Sequence, residues 1–348
     1  MCQYSAEEGS ATSWHVIHLG QLSLSGAGLL IIEATAVEPE GRITPYDLGL
    51  YCDANEAALA RVMATVREQS PMSVFVQLAH AGRKASSQRP WDGGAQIPPG
   101  EPTGWRTVSA SDLPHGAGEA APLALDASGL ARVRDAFVAA AARVERLGLD
   151  GIELHAAHGY LLHQFLSPLS NRRDDAYGGS LTNRIRFPLE VFDAVRAAYP
   201  AGRPLGVRIS ATDWAAGGWD LEQSLVLAEA LKDHGADFIH VSSGGLTPAQ
   251  TIPLEAGYQV PFAAAIKRES GLATMAVGLI TEPQQAEDIL ATGEADMIAL
   301  ARGILYDPHW PWHAAAKLGD QVWAPKQYWR SQPRAYKDLF QGAAFGQR

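Results

Sequence analysis

The chain has 348 residues and a net charge of −10, with 19% of its residues charged and 47% hydrophobic. That is a globular composition with material for one large core or two ordinary ones, and its negative balance argues against nucleic acid or an anionic membrane as partner. Two cysteines, Cys2 and Cys52, exclude a disulfide framework and any cluster or zinc ribbon held by four thiolates. No apolar run reaches membrane-span length, and the polar opening Met1-Cys2-Gln3-Tyr4 does not read as a signal peptide, so a reduced, cytoplasmic protein is expected.

Short apolar runs alternate along the chain with longer amphipathic ones. Strands are predicted over residues 29–37, 72–79, 151–155, 205–210, 238–242, 273–278 and 297–301. Helices are predicted over 55–69, 127–146, 181–199, 221–234, 258–270 and 282–291. Repeated strand–helix units with apolar strands read as a parallel sheet covered on both faces, and over this length as a (β/α)8 TIM barrel. Seven strands are found where such a barrel has eight, so the first strand is expected to be absent from this chain, its end falling just before Met1. The Gly- and Pro-rich stretch 90–122 is expected to form an irregular loop or small hairpin over the barrel mouth. Residues 1–330 read as one domain, and 331–348 as a tail with a poorly ordered end. A doubly wound fold would want a GxGxxG after an early strand, and none is present.

Barrel enzymes draw their catalytic groups from the C-terminal ends of the strands. Ile152 and Leu154 alternate with Glu153 and His155, and the run that follows crowds His155, His158 and Tyr160 onto one strand end. One histidine there would read as structural. Two imidazoles and a phenol within six positions are costly unless something uses their hydrogen bonds, so the cluster reads as functional. Gln77 faces away from Val74, Val76 and Leu78, and Arg208 faces away from Val207 and Ile209, so both point inward. An inward arginine calls for an anion or an electron-rich acceptor. Ala34 and Thr35 are small enough to let a flat ring approach, and Gly278 and Arg302 fall where barrels bind phosphate. Together these residues suggest one phosphorylated, planar, hydrogen-bond-rich ligand.

The stretch HAAHGYLLHQFLSPLSNRRDDAYGGSLTNRIRF resembles the signature of the Old Yellow Enzyme family, the FMN-dependent ene-reductases. More narrowly it is similar to the short bacterial branch that includes NADPH dehydrogenase and xenobiotic reductase, and the resemblance runs from Met1 to about Arg330. It implies FMN as cofactor and NADPH or NADH as reductant. It implies Arg208 at the flavin N1–O2 edge, Gln77 on the pyrimidine edge, Ala34 against the ring system, and Met1 and Cys2 near N5. Cys2 resembles the family's redox-modulating thiol. Gly278, Ala301 and Arg302 would hold the phosphate, although Ala301 stands where the family usually has glycine.

The same resemblance implies that His155 and His158 hold the oxygen of an enone or nitro substrate. Tyr160 then protonates the α-carbon, and Tyr4 closes the pocket as a second phenol. Glu153 is expected to support the site from behind and His163 to be structural. In Gln327-Tyr328-Trp329-Arg330, Arg330 resembles an arginine that reaches a neighbouring subunit's active site, which implies a homodimer or homotetramer. Two alternatives stay open: a metal-dependent hydrolase using His155, His158 and either Glu153 or Asp213, and a barrel remnant with impaired flavin binding.

Overall fold

Long apolar strands with few polar breaks build a parallel sheet that curls on itself. The structure, a computed structural model, describes residues 1–344. Its strands are β1 (Leu29–Ala36), β2 (Ser73–Ala79), the two-residue β3 (Val108–Ser109) and β4 (Leu123–Ala124), β5 (Gly151–Ala156), β6 (Leu205–Ser210), β7 (Phe238–Ser242), β8 (Ala273–Ala276) and β9 (Met297–Ile298). The seven-stranded sheet has the order β1-β2-β5-β6-β7-β8-β9, every pair parallel. Among the described residues β1 and β9 do not pair, so the curl is that of a TIM barrel with one gap. The expected seven-strand count holds.

The helices are α1 (Ser13–Ser23), α2 (Asp53–Gln69), α3 (Ala127–Arg146), α4 (Leu161–Leu166), α5 (Leu181–Ala198), α6 (Leu221–Asp233), α7 (Val260–Ser270), α8 (Pro283–Ala291), α9 (Arg302–Tyr306) and α10 (Trp310–Leu318). Side-chain caps fix three of the starts: Asp126 accepts from Gly129 N, Ser180 from Asn183 N and Asp220 from Gln223 N. On α3 the residues Leu130, Val133, Phe137, Ala140, Ala141 and Val144 recur at helical spacing and are all buried. Each large apolar side chain so buried contributes about 1.5–3 kcal/mol. No helix among the described residues is long and apolar enough to cross a membrane.

Two glycines shape the barrel floor. Gly151 stands in register with Phe75, and Gly206 with Phe238. A Cβ on either would lie 2.6 or 2.5 Å from the facing ring. Their absence lets the Phe75 and Phe238 rings meet at 5.9 Å beneath the interior side chains.

Several expectations are corrected. Helices α1, α9 and α10 fall where none was predicted. Strand β8 stops at Ala276 rather than 278, because the Val277 carbonyl accepts from the Gln259 side chain at 2.9 Å and Gly278 turns to φ 127°. Strand β9 likewise ends at Ile298 rather than 301. In the 90–122 insertion and just beyond it, β3 and β4 pair in parallel, so they do not make a hairpin. Arg173 pins this region by donating to the carbonyls of Ala110 and Leu125 at 2.9 and 2.7 Å. Past residue 330 the chain is not simply a solvated tail. Leu339 and Phe340 are buried beside Trp312, Val322 and Ala324, and Val322 N donates to Leu339 O at 2.8 Å. The far end of the predicted disorder, 345–348, lies outside the described residues.

Candidate active site

Register across the sheet assembles the site. His155, Arg208, His240 and Met275 are in register on β5, β6, β7 and β8, and Gln77 is in register with Glu153. The second pair lies two residues before the first row along the strands, and side chains two apart share a face, so both rows line one interior. Ala34 reaches it through a β-bulge: Ile32 pairs with Val76 and Ala34 with Gln77, leaving Glu33 as the extra residue. The bulge turns Glu33 to His15, whose Nε2 lies 3.2 Å from its carboxylate.

Glu153 ties the layer together. Its Oε1 accepts from Gln77 Nε2 at 2.5 Å and its Oε2 meets His240 Nδ1 at 2.8 Å, reaching past Gly206. Burial opposes the carboxylate's charge, but His240, Arg208 and the Gln77 hydrogen bond outweigh it and hold Glu153 down to about 2. Burial and Arg208 push His240 below its ordinary value. The pair is therefore an ionised Glu153 receiving the Nδ1 proton of a neutral His240. The expected supporting role of Glu153 has a structural basis in these two bonds.

His155 and His158 meet edge to face at 5.2 Å, and Tyr160 meets His155 edge to face at 4.9 Å. Burial first, then Arg208, pushes both imidazoles well below their usual pKa, so both are neutral. Ala157 N donates to His155 Nδ1 at 3.2 Å, which leaves the ring proton on Nε2. His158 Nε2 lies 2.8 Å from Ser242 Oγ. Gln259 is already oriented, since its Nε2 donates to Val277 O and its Oε1 receives Ser243 Oγ at 2.6 Å. Ser242 Oγ also donates to Gln259 Oε1 at 3.3 Å, so this hydroxyl stands between the amide and His158 Nε2. Burial raises the Tyr160 pKa well above a free phenol's, so Tyr160 holds its proton at neutral pH.

The remaining predicted residues divide. Ala34 lines one small cavity with Tyr160 and with Asp47, a buried carboxyl that desolvation raises to about 7. Cys2 is partly buried, and burial followed by Asp47 and Glu33 raises its thiol well above the usual value, so it stays neutral. Tyr4 adopts φ 50° and packs edge-on against Trp91 at 5.7 Å. Met1 is 59% exposed, so the structure does not bring its side chain into the layer. Gly278 and Arg302 follow neighbouring strands, with Ala301 capping the short α9. Arg302 and Arg330 are exposed, and among the described residues no hydrogen bond joins either to the interior layer.

His163, expected to be structural, accepts from Gly159 N at 2.9 Å and pairs through Nε2 with Asp213 at 2.9 Å. Asp213 and Glu153, the two candidate carboxylates of the metal-hydrolase alternative, pair with His163 and His240 respectively. Sequence reasoning assigned no role to Lys84, Ser242, Ser243 or Gln259, because their contacts cross between segments distant in sequence, nor to Asp47, whose carboxylate accepts locally from Ile43 N, Thr44 N and Thr44 Oγ1.

The chain matches the model of the NADH:flavin oxidoreductase / NADH oxidase family over residues 1–321. It is 42% identical over 332 residues to an NADPH dehydrogenase of Geobacillus thermodenitrificans, covering 95% of this chain and 92% of that one. An NADPH dehydrogenase of Listeria innocua is 43% identical over 333 residues, covering 95% and 93%. Among solved structures, morphinone reductase in complex with tetrahydroNAD superposes with a TM-score of 0.74 at 27% identity, covering 99% of this chain and 89% of that one. The chain belongs to this family, the FMN-dependent oxidoreductases of the Old Yellow Enzyme type.

Proposed function

We propose that this NADPH dehydrogenase delivers its reducing equivalents to the C=C bond of an activated alkene, an enone or a nitro compound, with Tyr160 as the acid. One observation carries the reading: two neutral imidazoles, His155 and His158, stand edge to face with a protonated phenol 4.9 Å from the first. The interior suits FMN. Arg208 Nε and His240 Nε2 are buried with no hydrogen-bond partner among the described residues. Leaving such groups unmet costs about 1–3 kcal/mol each, and a planar ring that carries both acceptors for the Arg208 N–H and a ring N–H for the His240 Nε2 lone pair supplies what they lack. Arg208 and Gln77 would hold its pyrimidine edge, Ala34 and Cys2 its ring system, and Gly278, Ala301 and Arg302 its phosphate.

FMN, when bound, accepts hydride from the nicotinamide and passes it to the alkene. The chain's own residues prepare the acceptor. His155 keeps a proton on Nε2, and His158, in the tautomer that accepts from Ser242 at Nε2, carries one on Nδ1, so each would offer one N–H to the substrate's carbonyl or nitro oxygen. Two such bonds draw electron density from the conjugated C=C. Tyr160 then gives its phenolic proton to the α-carbon. Tyr4 closes the pocket, and Arg330 reaches the site of a neighbouring copy in a homodimer or homotetramer.

The test is a visible spectrum of the purified protein, then anaerobic bleaching with NADPH and reoxidation with cyclohexenone. A bound flavin spectrum, bleaching and return of colour are expected. A reduced protein that cyclohexenone leaves colourless would overturn the ene-reductase reading.

A further inference from the structure

Three loops that follow β2, β5 and β7 converge on one side chain. Lys84 Nζ donates to the carbonyl of His158 at 2.9 Å and to that of Gly245 at 3.0 Å. The same ammonium lies 5.2 Å from the centroid of the Tyr160 ring. His158 sits at φ 55°, a left-handed conformation that a residue with a side chain adopts at a cost. Among the described residues no carboxylate pairs with Lys84.

We propose that Lys84 is a positioning residue: it fixes the left-handed turn at His158 and holds a positive charge over the Tyr160 ring. The charge favours the phenolate that forms when the Tyr160 proton moves to the substrate's α-carbon. The proposal rests on the reading of Tyr160 as the acid. The groups acting on Lys84 are Arg83 beside it in the chain, Glu119 and His115 from the insertion, and His158 and Tyr160 from the loop after β5. Burial first, and Arg83 next, lower the ammonium to about 8 against the opposing pull of Glu119. Tyr160 remains protonated well above that pH. Through pH 8 the cation is therefore lost while the acid still carries its proton, and proton delivery weakens.

The experiment measures both half-reactions of the FMN-loaded protein by stopped flow from pH 6.5 to 9.5, in wild type, Lys84→Met and Lys84→Arg. A cation over an aromatic ring contributes about 0.5–2 kcal/mol, so Lys84→Met should slow reoxidation by cyclohexenone by about two- to thirtyfold. Reduction by NADPH should change far less. Wild-type reoxidation should fall above about pH 8, and that fall should vanish in both variants, since arginine keeps its charge throughout. Equal slowing of both halves in Lys84→Met, or an unchanged fall above pH 8 in Lys84→Arg, overturns the proposal. If Lys84→Met does not fold, the Lys84→Arg profile decides alone. Wild-type protein that is reduced by NADPH but not reoxidised would instead overturn the reading of Tyr160.

Discussion

Gly159 and Gly245 meet backbone to backbone. A Cβ on Gly159 would lie 2.3 Å from the Gly245 carbonyl oxygen, and one on Gly245 would lie 2.6 Å from Cα of His158. Both residues also have positive φ, 73° and 90°. This contact brings the His158 turn against the loop after β7, where Ser210 adds a second tie by accepting from His158 N and donating to Gly244 O. Neither obstructing group is the end of a flexible side chain, so nothing can step aside cheaply. Gly159→Ala should therefore lose about 2–4 kcal/mol of stability from overpacking and backbone strain together. Thermal unfolding checks this, and a melting temperature within a degree of wild type would show that the two loops part easily.

If His155 and His158 hold the substrate's oxygen as proposed, the same pair makes a site for an anionic oxygen. A para-substituted phenolate should bind there, stack on FMN and give a long-wavelength charge-transfer band. Replacing both histidines with alanine should abolish the band and leave the spectrum of bound FMN. A band that survives the double substitution would place the phenolate elsewhere.

Glu153→Gln tests the interior network. The carboxylate accepts from both Gln77 and His240, whereas an amide can accept from one and must turn N–H toward the other. The expected loss is about 1–3 kcal/mol at neutral pH. The pH dependence follows from a folded-state pKa held down to about 2. The stabilisation is fully present above the unfolded carboxyl's value of about 4.3 and fades as pH falls toward 2. The gap between wild type and variant in urea midpoints should thus shrink between about pH 4 and pH 2. A gap that is constant across this window would mean that Glu153 is already protonated in the folded protein.

Strand alternation made much of this interior legible. Ile152 and Leu154 against Glu153 and His155, and Val207 and Ile209 against Arg208, mark which face is inward, and β6 and β7 span the predicted residues. The signal fails wherever period-2 order breaks. The bulge at Glu33 resets the alternation of β1, and no residue-by-residue pattern announces it. Helix α4 is buried on every side, from Leu161 to Leu166, so it has no polar face to show a helical period. Helix α1 carries Gly20 and two valine or isoleucine positions, and His15, buried in it, is met by Glu33 from another element. Lys84 was visible only as one residue of a basic pair. Its partners lie 74 and 161 positions away, a separation that a local reading cannot bridge.

Tyr160→Phe separates the acid from the pocket. Tyr160 stands at the N-cap position of α4 with its ring edge-on against His155, so phenylalanine keeps the ring and loses only the proton donor. Reduction by NADPH requires no proton from this side chain. Under the proposed function reoxidation by an enone does, because the α-carbon must then be protonated by Tyr160 as the β-carbon receives hydride. General acid catalysis is commonly worth about 10² to 10⁴-fold, and the slowing should fall almost entirely on the reoxidation step. The raised phenol pKa gives a second signature: wild-type Tyr160 stays protonated through pH 9, so its own ionisation should not limit the rate below that point. Stopped-flow measurement of each half-reaction decides the matter. Equal slowing of both would mean that Tyr160 only shapes the pocket, and the proton would then have to come from solvent or from Tyr4.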